Sequence, residues 1–128
     1  MEKLITQYVS VWNEKDTSNL NHLFQNQAYY WDPAQEGNAI ELLNSAVLAT
    51  HDAFPDVSLE TLSLKSSAED VFFLEWKMTG TNTGSFFGSE PTGKKIEIKG
   101  LDSISCKDGK ISEIKSFYDS SSLTQQLS

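Results

Sequence analysis

The sequence predicts an α+β fold in which helices come first and a curved antiparallel sheet follows. Three observations carry this. Apolar residues recur at helical spacing through the N-terminal part of the chain. From Asp56 onward the pattern changes to period two, as in strands buried on one face. Asp108-Gly109 joins the last two alternating runs, and Asp-Gly is a strong hairpin turn signal. Helical segments grouped before strands point to an α+β domain rather than an alternating α/β one.

The elements follow in order. Residues 2–14 place Leu4, Ile5, Tyr8, Val9, Val11 and Trp12 on one helical stripe. Asp16 or Thr17 can cap a second short helix carrying Leu20, Leu23 and Phe24. The aromatic run Ala28–Asp32 reads as a strand ending at Pro33. A third helix is expected after Gly37, stopped by Pro55, because a residue before proline avoids the α region. Val57, Leu59, Leu62 and Leu64 alternate with one slip of register, the mark of a bulge. Strands over 71–79, 95–106 and 109–119 complete the sheet. The polar tail after Asp119 reads as disordered or as a short helical cap.

A length of 128 residues fits one domain, 1–128, able to bury roughly two thirds of its unfolded surface. The net charge of −8 argues against nucleic acid and anionic membranes as partners, since both select clustered Lys and Arg. Three Trp, four Tyr and seven Phe supply both a core and a lined cavity. Cys106 is the only cysteine, which excludes a disulfide within the chain and a Cys₂His₂ site. No His-x-His or His-x-x-x-His pair occurs, so neither a metal nor another cofactor is expected. The N-terminus lacks an apolar signal segment and no run approaches the ~18 residues of a membrane span. The expectation is a cytoplasmic protein.

The stretch GSEPTGKK, Gly88–Lys95, has seven of the eight positions of a phosphate-binding loop. Lys95 stands where a Ser or Thr would hold Mg²⁺, and a strand pattern follows where a helix is needed. It reads as a turn-rich connection between strands. Together with AFPDV at Ala53–Val57, Thr79–Lys95 and Asp108–Leu127, it resembles the SnoaL-like polyketide cyclase family of the NTF2-like superfamily. That resemblance implies a cone: three N-terminal helices packed into a strongly curved antiparallel or mixed sheet around one deep pocket. It also implies a homodimer and a small hydrophobic or polycyclic ligand. It does not fix an activity, because function resides in the site.

Asp102 is the anomaly among the strand residues. It interrupts the apolar row Ile96, Ile98, Gly100, Ile104, Cys106, which faces Phe72, Leu74, Trp76 and Met78. A carboxylate there must be paired, hydrogen-bonded or protonated, and burial would raise its pKa. A two-residue turn at Asp108-Gly109 places Lys115 opposite Asp102, whereas one bulge residue at Gly109 places Ser116 there. By the resemblance, proton transfer belongs to an Asp on the last strand and a His on the strand before. Those positions fall on Ser116 and Asp102, so neither residue type is kept. The same transfer puts Trp12, Asp32, Asn44 and Asn82 at ligand-binding positions. Tyr30 and Trp31, in the aromatic run, and Asp119, a second carboxylate near the last strand's end, complete the candidates, alongside Trp76, Met78 and Lys115. Two readings compete: cofactor-free proton transfer on an apolar carbonyl or cyclic compound through Asp102, or a non-catalytic binding or dimeric interaction module.

Overall fold

The computed structural model describes residues 2–128. Helix α1 (Glu2–Glu14) is followed by a 3₁₀ turn (Thr17–Asn19) and the single-turn helix α2 (Leu20–Leu23). Strands β1 (Phe24–Asp32) and β2 (Gln35–Asn38) then lead to helix α3 (Ala39–Ala53). Strands β3 (Ser58–Ala68), β4 (Val71–Thr81), β5 (Lys95–Lys107) and β6 (Lys110–Tyr118) precede helix α4 (Ser120–Leu127). The six strands form one sheet in the order β2-β1-β6-β5-β4-β3. Only β1 and β6 run parallel, so the sheet is mixed.

Local chemistry explains the boundaries. The Asn38 side chain caps α3 by accepting from the Glu41 N–H, and Pro55 stands just past its end. Helix α1 buries Ile5, Tyr8 and Val11, one per turn, against the sheet. Burying Ile5 or Val11 contributes about 2 kcal/mol. The expected slip in β3 occurs between Thr61 and Ser63, leaving Leu62 as the extra residue and exposed. Asp108 and Gly109 both take positive φ, as a tight hairpin turn requires.

Several expectations change. The second helix ends at Leu23, and Phe24 opens a strand longer than the aromatic run that announced it. Strand β2 was not legible: QEGN carries no apolar alternation. The polar tail is a helix, and Asp119 is its N-cap, accepting from the Ser121 N–H.

Two amides tie helices to free sheet edges. Asn13 of α1 exchanges hydrogen bonds with the Leu59 N–H and carbonyl on edge strand β3. Gln126 of α4 does the same with Glu97, beyond the point where β6 stops covering β5. Each side chain completes a ladder the sheet leaves open.

Gly88–Lys94 lies in the connection from β4 to β5, with no helix after it. The connection is closed by Asn82, whose N–H donates to the Lys94 carbonyl and whose carbonyl accepts from the Gly93 N–H.

Candidate active site

The register of β5 on β6 determines what faces Asp102. The turn pairs Cys106 with Ile111, but a bulge then shifts the ladder so that Ser105 meets Glu113 and Asp102 meets Ser116. The extra residue is Ser112, whose hydroxyl donates to the Ser105 carbonyl, and not Gly109 as the turn suggested. Lys115 therefore does not stand opposite Asp102. It lies on the exposed outer face, 4.0 Å from Glu113.

Asp102 is 4% exposed. Its Oδ1 accepts from the Trp76 indole Nε1 at 2.8 Å, and the Ser116 hydroxyl donates to the same carboxylate. Neither ion pair among the described residues includes it. Burial pushes its carboxyl up to about 6, the Ser116 and Trp76 donors pull the other way, and the Asp32 charge adds to the rise.

Around it stands a cluster drawn from four elements. Tyr8 of α1 accepts at its hydroxyl from Trp12 Nε1 at 3.1 Å. On β1, Tyr30 donates to Asp32 Oδ2 at 2.9 Å, while Asp32 Oδ1 holds the turn to β2 by accepting from the Ala34 and Gln35 N–H groups. Tyr118 of β6 packs edge-on against Trp76 of β4, with ring centroids 6.0 Å apart. Burial first, and then the Asp102 charge, hold the Tyr8 phenol well above its usual range. Burial first, and then Asp32 and Asp102, push Tyr118 up to about 12. Tyr30 is raised as well, first by burial. Met78, half-buried on β4 opposite Ile98, packs against the same core.

The remaining candidates lie elsewhere. Trp31 turns to the outer face and packs on Phe117, which is 48% exposed, with centroids 5.1 Å apart. Asn44 is exposed on α3 and Asp119 caps α4. Asn82 is buried and its amide is fully occupied, tying its loop to the end of α3: its Nδ2 donates to the Ala53 and Gly84 carbonyls and its Oδ1 accepts from the Thr92 N–H and hydroxyl. His22 is exposed on α2, and His51 contacts the Trp12 carbonyl at 2.6 Å, joining α3 to α1. Tyr8 and Tyr118 were missed. Tyr8 looked like one more apolar residue of the α1 stripe, and Tyr118 like the end of a strand.

Two surface grooves, of about 490 and 430 Å³, lie outside this cluster. One is on the outer face of the sheet between Lys65, Phe73, Glu75, Lys99, Leu101 and Phe117, and the other lies beside α4 around Lys95 and Gln126. No group of three or more His, Cys, Asp or Glu that could hold a metal occurs among the described residues. No helix among them is long and apolar enough to cross a membrane.

Neither groove includes Asp102; helices packed on one curved mixed sheet, with a polar cluster among buried apolar side chains, form the fold of a small-molecule pocket protein. The chain belongs to the SnoaL-like polyketide cyclase family, whose model matches residues 2–127. Among solved structures it is similar to AclR, a candidate hydroxylase from Streptomyces galilaeus, at 24% identity and TM-score 0.85, covering 98% of this chain and 79% of that one. It is also similar to TsrD from Streptomyces laurentii, at 22% identity and TM-score 0.85, with 98% and 92% covered. IdmH, a candidate polyketide cyclase from Streptomyces antibioticus, matches at 21% identity and TM-score 0.84, with 98% and 96% covered. At these identities the likeness carries the fold alone. No curated protein sequence matches the chain.

Proposed function

We propose that the protein is a cofactor-independent enzyme that moves a proton on an apolar carbonyl or cyclic substrate, with Asp102 as the group that carries it. The observation behind this is a buried carboxylate without an ion-pair partner among the described residues, held by two donors and poised near neutrality. A general base works best with a pKa near the working pH, which is what this environment provides. The carboxylate takes a proton from carbon beside the carbonyl. The electron pair moves onto the carbonyl oxygen, and Asp102 returns the proton to the same or a conjugated carbon. The Tyr8 hydroxyl accepts from Trp12 and keeps its own proton for donation. With Tyr118 it is the donor available to the developing oxyanion. Ser116 orients the carboxylate. The half-buried Trp12, Met78 and Tyr118 are the members through which substrate enters.

Deuterium exchange into 2-tetralone in ²H₂O, followed by NMR, tests the reading. The wild-type rate above buffer catalysis should rise through about pH 6 and level off, tracking Asp102 ionisation. Asp102→Asn should lower that rate by roughly 100-fold or more. An unchanged rate in Asp102→Asn, or no rate above buffer, would overturn it.

A second copy is the partner we assign to the outer face. That face exposes Leu101, at 42%, and Phe117 beside Lys65, Lys99 and Glu75, a mixture of apolar groups and both charge signs that complements itself across a two-fold axis. Sedimentation at micromolar concentration should give twice the chain mass, and Phe117→Lys should return it to one. A single-chain mass for the wild type removes the assignment.

A further inference from the structure

Trp76 does not reach Asp102 straight across the ladder. It is paired across the ladder with Gly100, and Asp102 is paired with Leu74, so the indole crosses to its acceptor on the diagonal. To do so it lies flat over Gly100. A Cβ at position 100 would stand 2.2 Å from Cζ2 and 2.7 Å from Cε2 and Cη2 of the indole. Cε2 is bonded to Nε1, so the edge that fills this space is the edge that carries the donor. Glycine weakens a strand interior, and an aromatic ring laid over it recovers the missing packing. We propose that Gly100 is a positioning residue of the site, the seat that turns the Trp76 indole onto Asp102. Any side chain at position 100 lifts that edge off the strand and withdraws the N–H from Oδ1.

The functional weight of this device rests on the reading of Asp102 as the proton carrier, but its geometry needs no substrate. The titratable groups that face Asp102 are Tyr8 on α1, Asp32 and Tyr30 on β1 and Tyr118 on β6. None is a cation, so the Trp76 and Ser116 donors are what oppose protonation of the carboxyl.

The test is the midpoint of the Asp102 carboxyl, followed by ¹³C NMR in the wild type, Gly100→Ala, Trp76→Phe and the double variant. Gly100→Ala should raise the midpoint by about one unit through loss of a donor. Trp76→Phe, which keeps a ring over Gly100 without the N–H, should raise it equally. The double variant should match either single one, because all three remove the same contact. A wild-type midpoint in Gly100→Ala, or shifts that add in the double variant, would overturn the proposal. Should Gly100→Ala not fold, the smaller phenyl ring in the double variant should restore folding with the Trp76→Phe midpoint. A double variant that also fails to fold would show that Gly100 serves something other than the indole. Loss of deuterium exchange activity in every protein, wild type included, would remove the catalytic reading and leave the positioning result standing.

Discussion

Asp102→Asn should stabilise the protein at neutral pH by up to about 3 kcal/mol, with the gain gone by about pH 4. The carboxyl rises from an ordinary 3.8 to about 6 on folding. Between those values the folded chain binds more protons than the unfolded chain, so stability falls as pH rises. The stabilising contribution of the protonated group is complete below the unfolded value and is lost as pH passes the folded one. Above pH 6 the wild type keeps a charge buried at a cost that the Trp76 and Ser116 donors offset only in part. Asn is close in shape, carries no charge and still accepts from Trp76. Urea unfolding of both proteins at pH 4, 5, 6 and 7.5 reads the difference directly. Using the difference cancels every other carboxylate, including Asp56 and Asp119, whose pKa values are held low by hydrogen bonds from Thr81 and Ser121. A difference that does not change with pH contradicts the buried, unpaired state of Asp102.

Asn82→Ala should cost about 3 kcal/mol while leaving the exchange rate of a folded sample unchanged. Asn82 is 1% exposed, and its amide uses both donors and its acceptor to hold Ala53, Gly84 and Thr92. Truncation leaves the Gly84 carbonyl and the Thr92 N–H without a partner and the Ala53 carbonyl with the Gly84 N–H alone. Asn82→Asp should be no better, because a carboxylate presents only acceptors to the Ala53 and Gly84 carbonyls. Chemical unfolding measures the loss. A substrate-binding role would show the opposite pattern, with a raised KM at unchanged stability.

The two residues show how legibility in this chain varies with the kind of information needed. Periodicity carries the helices and long strands, because a buried stripe leaves the same mark wherever it packs. Asp102 was legible for the same reason: one carboxylate in an apolar row is visible without knowing the neighbours. Its partner was not, because a single inserted residue exchanges the two faces of β6, and Ser112 carries no turn signature that would mark the bulge. Asn82 was placed at a ligand position by the resemblance alone, and its structural partners were not legible. What occupies its amide are backbone groups far apart in sequence, such as the Ala53 carbonyl. Strand β2 was illegible because a short, half-exposed edge has little apolar surface to pattern. Gly100 was read as one more position in a row, since a missing side chain gives no sign of the ring that fills its place.

The most direct measurement of Asp102 as the proton carrier is the ¹³C titration of its carboxyl in the wild-type protein, assigned by its absence in Asp102→Asn. The expected midpoint is near 6. A midpoint at or below about 4, the ordinary value for an aspartate, would mean that the carboxylate is solvated or paired and cannot be the proton carrier.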